Sequence, residues 1–330
     1  MAARPERLMA ELETLWEQLA RRGEEGVLRA CALTLVAVTD AGEDVGRAGA
    51  TLAELTERHP ARAILLRLSE GGAEPEARVF AHCWLPRASR RQICSEQIEI
   101  TAGRERLREI IPVLLALAAP DLPVAMWWRN PEVLLAPEQE ELAALASHVI
   151  SDAGGTREAA RFLARMAAWL RPDRTVGDLA WARLTRWREA LAQAFECAAG
   201  PTRSWEISAA VVVSPGGSKT VAACYMAAWL AMSLGWAPDD RRLRIEHSRT
   251  PGPGSLEAVR LSGSSFSVSL ERRGPELVEV RLNGEFHHRF FPRQGEAELL
   301  AEELTAGPRD EIYRRCLVAA AALARRLEQR

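Results

Sequence analysis

Lysine is nearly absent from this sequence, and several features of common protein classes are absent as well. Lys219 is the only lysine among 43 basic residues, and the net charge of −2 gives no field that favours nucleic acid or an anionic membrane. No run of about 18 apolar residues occurs, so no transmembrane helix is predicted. The charged N-terminus lacks the apolar core of a signal peptide. We therefore expect a cytoplasmic protein that contacts neither nucleic acid nor membrane.

Enzyme signatures are absent too. Gly42, Gly46 and Gly49 do not have the G-x-G-x-x-G spacing of a dinucleotide-binding turn. His287 and His288 are adjacent on a predicted strand, so their rings point to opposite faces and cannot chelate one metal. Neither an H-E-x-x-H zinc motif nor a G-x-S-x-G nucleophile motif occurs. The sequence therefore predicts a binding or regulatory protein with no catalytic residues, no metal and no cofactor.

The six cysteines include no C-x-x-C pair and no clustered Cys/His spacing. Free buried thiols are the general expectation for a cytoplasmic protein. One pair differs from the rest. If the segments on either side of Ala88-Ser89 form a hairpin, Cys83 lies opposite Cys94, within reach of a disulfide. Cys83 and Cys94 are therefore a candidate redox pair.

The only lysine lies between a predicted strand and a predicted helix, in the segment from Ser214 to Thr220. This segment is not a P-loop, because Ser218 and Val213 stand where that motif requires glycine. A helix N-terminus can still bind an anion through free N–H groups, although such turns are common structural connectors. The candidate anion-binding loop consists of Gly216, Gly217, Ser218, Lys219 and Thr220. An alternative function is therefore a phosphosugar- or nucleotide-binding enzyme or sensor that uses this loop.

The length of 330 residues predicts two domains rather than one hydrophobic core. Apolar strands alternate with amphipathic helices through residue 155, beginning with one long strand over 27–39. The hairpin that contains the cysteine pair makes the predicted sheet mixed. We therefore expect an N-terminal α/β layer domain over residues 1–155.

The second half has a different pattern. Apolar residues from Val176 to Phe195 recur every three or four positions and predict one helix. Alternating segments joined by Pro, Gly and Ser then follow, and Asn283-Gly284 is a strong two-residue hairpin signal. These features predict a C-terminal α+β domain over residues 156–330, in which helices pack on a largely antiparallel sheet. The chain as a whole is α/β in class, or α+β overall.

Two adjacent tryptophans end a short predicted strand from Val124 to Trp128. Neighbouring residues of a strand point to opposite faces, so Trp127 and Trp128 cannot enter the same core. Either helices cover both, as in sheets buried on two sides, or one belongs to a contact surface with Arg129. We expect one core and one semi-exposed tryptophan. Trp127, Trp128 and Arg129 are therefore a candidate partner surface.

Four segments carry a resemblance to a known family. They are Val27–Val36, His59–Ile64, Cys94–Ile98 and Pro120–Val124, the last leading to Trp127-Trp128. In their order and spacing they resemble the glucose-6-phosphate dehydrogenase assembly protein family, OpcA. The second half resembles the family more loosely, chiefly at Ala228-Trp229-Leu230.

The resemblance implies a non-catalytic partner of glucose-6-phosphate dehydrogenase, the enzyme that opens the oxidative pentose phosphate pathway. It implies assembly or allosteric activation of that enzyme through protein–protein binding, with no catalytic residues to transfer. Some photosynthetic members are linked to thioredoxin control, which is relevant to the cysteine pair. Self-association, as in a homo-oligomeric scaffold, remains an alternative.

Overall fold

The structure, a computed structural model, describes residues 4–22, 27–85, 92–197, 206–215, 220–237, 240–248, 256–306 and 310–329. The chain forms two compact units. The first comprises Met1–Ser151, Pro172–Gly177 and Glu296–Thr305, and the second comprises Asp152–Arg171, Asp178–Gly295 and Ala306–Arg330. Because two later segments return to the first unit, a single domain boundary after residue 155 stays a prediction.

Helices and strands alternate along the chain. The helices are α1 (Pro5–Arg22), α2 (Val45–Arg58), α3 (Leu107–Leu117), α4 (Pro131–Leu134), α5 (Gln139–Ala143), α6 (Ala159–Trp169), α7 (Leu179–Ala182), α8 (Thr185–Cys197), α9 (Val221–Ser233), α10 (Glu296–Ala306) and α11 (Glu311–Glu328). The strands are β1 (Val27–Arg29), β2 (Leu33–Asp40), β3 (Ala61–Ser69), β4 (Glu76–Trp84), β5 (Gln92–Gly103), β6 (Val124–Trp128), β7 (His148–Ser151), β8 (Thr175–Asp178), β9 (Ile207–Ser214), β10 (Leu243–His247), β11 (Ala258–Gly263), β12 (Ser267–Arg272), β13 (Leu277–Leu282) and β14 (Glu285–Phe290).

The first unit is organised around a mostly parallel sheet. The strand order is β1-β5-β3-β2-β6-β7-β8, and β4 pairs with β5 in the antiparallel direction. The central strands β2, β3, β5, β6 and β7 run parallel. Seven consecutive residues of β2 are buried, as expected for a strand covered on both faces. The α/β class and the mixed sheet are both confirmed.

The predicted long strand over 27–39 is wrong. The chain instead forms β1, which pairs with β5, and then β2, which pairs with β3 and β6. Between them, Ala30 N donates to Cys94 O and Ala32 N donates to Pro60 O. The apolar run is continuous because both strands are apolar, but their hydrogen bonds go to different neighbours.

Helix α10 follows the second sheet in sequence and belongs to the first unit. Its Glu303 is buried, and the carboxylate oxygen Oε1 lies 3.4 Å from Nε2 of His148 on β7. The other ring nitrogen of His148 is 2.6 Å from the Thr175 hydroxyl. A Cβ at Gly177 would overlap the Glu303 carboxyl group, so a larger residue at this point of β8 would require Glu303 to move.

The second unit contains a sheet in the order β10-β9-β11-β12-β13-β14. Only the β9–β10 pair is parallel among these strands, so the prediction of a largely antiparallel sheet is confirmed. Asn283 and Gly284 both have positive φ, 49° and 97°, as a two-residue hairpin turn requires. The single helix predicted from Val176 to Phe195 is wrong: Val176 lies on β8, and α7 and α8 follow.

Two structural absences hold for the described residues. No helix there has the length and apolar character needed to cross a membrane. Within the same residues, no group of three or more His, Cys, Asp or Glu side chains is arranged to hold a metal ion.

Candidate functional site

The strand order of the first unit reverses between β2 and β6. From β2 the sheet extends through β3 to β5 on one side, and through β6 to β7 and β8 on the other. In open α/β sheets, ligands bind in the crevice outside the carboxyl ends of the strands at such a switch point. Here the segments at the switch point are the connection after β2, residues 41–44, and Arg129 directly after β6, and together they are called the crevice below.

Arg129 is the central side chain of this crevice. Its Nη1 donates to Glu43 at 2.9 Å, and its Nη2 donates to both carboxylate oxygens of Glu296 at 3.0 Å. The guanidinium lies 5.5 Å from the centre of the Trp127 ring, and the side chain is 9% exposed. Arg129 N also donates to Val38 O, which fixes the residue against β2. The arginine is therefore held by carboxylates from a loop and from α10.

The connection after β2 is arranged around its own carboxylates. Glu43 accepts a hydrogen bond from Asp40 N at 3.0 Å, and Asp44 caps α2 by accepting one from Arg47 N at 3.2 Å. Burial raises the pKa of Glu43 above its ordinary value, while the hydrogen bond from Asp40 N and the charge of Arg129 oppose the rise. The start of α2 is thus capped by the Asp44 side chain.

Carboxylates lie at the start of α2, where a dinucleotide-binding turn would hold its phosphates. The pyrophosphate of a dinucleotide would have to approach the start of α2, where Asp40, Glu43 and Asp44 place three carboxylates. A Cβ at Gly42 would meet no protein atom within 4 Å, so no contact within the chain requires glycine at this position. Asp40 is itself paired with Arg104 at 2.9 Å. Like-charge repulsion and the occupied helix start both oppose phosphate binding at this turn.

A small cavity of about 220 Å³ lies on one face of the same sheet. It is lined by Val45, Leu65, Arg67, Glu76, Ala77, Arg78, Glu99, Ile100 and Thr101. Arg67 Nη2 donates to Ala41 O at 3.2 Å, which ties the cavity wall to the connection after β2. Arginine and glutamate side chains are present in equal number, so the cavity selects no single charge.

Both tryptophans of β6 are buried. Trp127 is 1% exposed and Trp128 is 0% exposed, and Trp128 Nε1 donates to Gln139 Oε1 at 2.9 Å. The expectation of one semi-exposed tryptophan is wrong, because β6 is a central strand with both of its faces covered. The alternative, that both are covered, is correct. A partner surface at Trp127, Trp128 and Arg129 stays a prediction.

The candidate anion-binding loop is described only at its end. Gly216, Gly217, Ser218 and Lys219 lie outside the described residues. Thr220 caps α9, where its hydroxyl accepts a hydrogen bond from Ala223 N at 3.2 Å. Anion binding by this loop stays a prediction.

The structure joins Cys83 and Cys94. The two residues face each other in the β4–β5 ladder, and their sulfurs form a disulfide. The turn around Ala88-Ser89 lies outside the described residues. Cys31 is exposed, whereas Cys224 and Cys316 are buried. A redox function for the Cys83–Cys94 pair stays a prediction.

Sequence reasoning missed the buried charge cluster around Glu96, two residues beyond Cys94 on β5. Glu96 is 4% exposed and accepts hydrogen bonds from Trp16 Nε1 at 2.7 Å and from Arg62 Nε at 2.5 Å. Arg29 Nη2 also contacts its carboxylate, and Arg62 Nη1 donates to Leu117 O at 2.5 Å. The only sign of this cluster in the sequence was Glu96 itself, a charged residue among the apolar residues of a predicted strand. The cluster connects α1, β1, β3 and α3 to β5.

The second unit has its own buried carboxyl group. Asp178 Oδ1 accepts hydrogen bonds from Ala153 N at 3.0 Å and Ala180 N at 2.8 Å, and Oδ2 accepts one from the Tyr225 hydroxyl at 2.9 Å. Tyr225 and Tyr313 place their hydroxyls 3.2 Å apart. Burial raises the pKa of Asp178 to about 7, although these hydrogen bonds oppose the rise. Both oxygens are occupied by the protein, which indicates a structural role.

Asp178 is expected to make stability depend on pH. Between the ordinary value of 3.8 and about 7, the native state holds the Asp178 proton while the unfolded chain releases it. This contribution is therefore complete below pH 4 and is lost as pH rises to 7, at most about 1.4 kcal/mol per pH unit. Asp178→Asn keeps the acceptor oxygen and should remove that slope. Urea unfolding of both proteins from pH 4 to 8 tests this, and parallel curves would contradict it.

Two family matches to domains of the same protein subunit cover most of the chain. Residues 52–168 match the family described as glucose-6-phosphate dehydrogenase subunit N-terminal domain. Residues 174–317 match the family described as the C-terminal domain of the same subunit. The two matches follow one another and together span both halves of the chain.

Relatives in cyanobacteria have the same family name. The chain is 28% identical over 249 residues to an OxPP cycle protein, OpcA, of Synechococcus elongatus, which covers 66% of this chain and 55% of the relative. It is also 28% identical over 230 residues to the OpcA of Nostoc punctiforme, covering 69% of this chain and 48% of the relative. The chain thus spans about half the length of these relatives.

Solved structures share the fold at low identity. A biliverdin reductase from Synechocystis covers 90% of this chain and 98% of its own, with 9% identity and a TM-score of 0.51. A mutant 3-ketoreductase from Actinomadura kijaniata covers 90% and 97%, with 12% identity and a TM-score of 0.50. These two similarities show the fold alone. From the two consecutive family matches, this chain belongs to the glucose-6-phosphate dehydrogenase assembly protein family, OpcA.

Proposed function

We propose that this chain is a non-catalytic, cytoplasmic assembly factor that binds glucose-6-phosphate dehydrogenase and activates it allosterically in the oxidative pentose phosphate pathway. The family descriptions name that enzyme, and the cyanobacterial relatives are named for the pathway. A binding role also agrees with the absence of catalytic motifs in the sequence.

The proposal of a non-catalytic role is supported mainly by the crevice between β2 and β6, which side chains of this chain fill. The two similar solved structures are described in complex with NADP, which makes a dinucleotide-dependent enzyme the competing function. In this chain, however, Glu43 and Glu296 hold Arg129 at the switch point, and Asp44 caps α2. A dinucleotide would have to displace these side chains and meet their negative charge.

Activation by such a factor requires only a difference in affinity. A protein that binds the active form of the dehydrogenase better than the inactive form shifts the equilibrium between them by that difference. A threefold to hundredfold activation corresponds to about 0.6 to 2.7 kcal/mol of coupling free energy. One interface of modest size can supply this amount.

Titrating the chain into its cognate dehydrogenase tests the proposal. We expect a saturable change in maximal rate, apparent KM or oligomeric state, because preferential binding shifts the enzyme toward one form. The chain heated to irreversible unfolding serves as the matched control. An enzyme whose rate, KM and sedimentation are unchanged at saturating protein would contradict activation.

The same preparation tests the competing function. NADPH and NADP⁺ are titrated into the chain alone while its melting temperature is measured. No shift is expected, since the start of α2 is occupied by carboxylates. A saturable shift that Glu43→Gln strengthens would favour a dinucleotide-binding enzyme. The phosphosugar or nucleotide sensor that uses the 214–220 loop stays a prediction, because its lysine lies outside the described residues.

A further inference from the structure

Strand β14 forms one end of the sheet in the second unit. Within the described residues its outer edge pairs with no strand. Phe286 and Phe290 on this strand are 55% and 66% exposed, and the β13–β14 register runs without a shift over all six residues. Natural edge strands are usually protected by bulges, prolines, short length or charged side chains, and of these devices β14 has the charged Glu285 and Arg289. A regular edge with two exposed phenylalanines is instead suited to pairing with another strand.

The backbone of β14 fixes which residues could pair. Phe291 N donates to Glu276 O at 2.7 Å, so the odd-numbered residues from 285 to 291 exchange backbone hydrogen bonds with β13. Backbone groups alternate in direction along an antiparallel strand. The N–H and C=O groups of Phe286, His288 and Phe290 therefore point outward, away from β13.

We propose that two copies of this chain pair through β14, antiparallel and around a twofold axis at His288. Only outward-pointing residues can face each other across this edge, so even-numbered residues must oppose even-numbered ones. With His288 opposite His288 of the second copy, Phe286 of each copy lies opposite Phe290 of the other. Both exposed phenylalanines then gain an aromatic cross-strand partner. The two sheets become one continuous sheet.

The order Phe-x-His-x-Phe on β14 favours a second copy of this chain as the strand that pairs with this edge. The outward-pointing residues are the same in both directions around His288, and a twofold interface requires such self-complementarity. The shifted register, centred on His287, would set Phe286 against His288 and Phe290 against Gly284. It would leave the more exposed phenylalanine without a large partner. This pairing does not depend on binding to the dehydrogenase.

Cysteine cross-linking tests both the pairing and its register. In a background with Cys197→Ser and with Cys31→Ser, which removes the exposed thiol among the described cysteines, His288→Cys should form a disulfide-linked dimer under mild oxidation. Opposed residues of a hydrogen-bonded pair have Cα atoms about 5.5 Å apart, within disulfide range. The matched control is His287→Cys, which would face Arg289 of the second copy and should form no disulfide-linked dimer. Equal cross-linking of both variants, or cross-linking of His287→Cys alone, would overturn the proposal.

Sedimentation of the full chain from micromolar to submillimolar concentration gives an independent measurement. We expect a monomer–dimer equilibrium whose dissociation constant rises at least tenfold in Phe290→Glu. Circular dichroism should show that this exposed substitution leaves the fold intact. A wild-type chain that stays monomeric throughout would overturn the pairing. So would a dimer that Phe290→Glu leaves unchanged.

Discussion

Glu96→Ala is expected to lower the free energy of unfolding by about 3 to 5 kcal/mol. This is the usual cost of removing one partner of a buried ion pair while the other stays buried. The substitution leaves Arg62, itself 5% exposed, without its carboxylate and removes the acceptor of Trp16 Nε1. Urea unfolding at neutral pH measures the loss. Because the Glu96 cluster links four elements to β5, the urea unfolding transition should also become less cooperative.

Glu99→Ala is the matched control for this prediction. Glu99 is on the same strand but is only half-buried beside the cavity, so its removal should change stability by about 0.5 kcal/mol or less. Glu96→Gln should fall between the two, because it keeps an acceptor oxygen and loses the charge. If Glu96→Ala and Glu99→Ala unfold at the same urea concentration, the cluster does not stabilise the first unit.

Arg129→Met is expected to lower the free energy of unfolding by about 3 kcal/mol at pH 7.5, at the low end for a buried pair because its partners are partly exposed. Glu43 and Glu296 would then lose the buried cation between them, although the exposed Arg47 stays 3.8 Å from Glu296. Burial already raises the pKa of Glu43, so protonation at pH 5 should relieve part of the loss. Unfolding at both pH values measures the difference, which should be smaller in acid.

The triple variant Glu43→Gln, Arg129→Met and Glu296→Gln separates the charge effect from packing. It removes all three charges and should recover most of the lost stability. It also tests the predicted partner surface. If Arg129 contacts the dehydrogenase, this variant should be stable and fail to activate it, whereas full activation would remove Arg129 from the interface. A triple variant as unstable as Arg129→Met would show that packing, and not charge, holds the crevice.

The strand at Val124–Trp128 could be predicted from its apolar residues and flanking prolines, but the exposure of its tryptophans could not. Exposure depends on the position of β6 in the sheet, and that position is set by pairing with β2 and β7. Strand order depends on contacts between distant parts of the chain, and local periodicity of the sequence does not predict it. The predicted division into one buried and one semi-exposed tryptophan was wrong for this reason.

The same limit explains the error at Val176. Its spacing from Ala180 and Leu184 matches a helix, yet β8 ends at Asp178, whose side chain caps α7 through Ala180 N. The cysteine pair was predictable because two opposed positions in a hairpin are close in sequence. The Arg129 cluster was not, because Glu296 lies 167 residues away along the chain.

The return of α10 to the first unit has a consequence for biosynthesis. Arg129 and His148 leave the ribosome long before Glu296 and Glu303, their carboxylate neighbours in the folded chain. Translation proceeds from the N-terminus, and domains usually fold as they emerge. The first unit therefore lacks these carboxylates until residues 296–303 have been translated. Its final packing follows the synthesis of α10, and a ribosome that stalls before residue 296 would release an incomplete first unit.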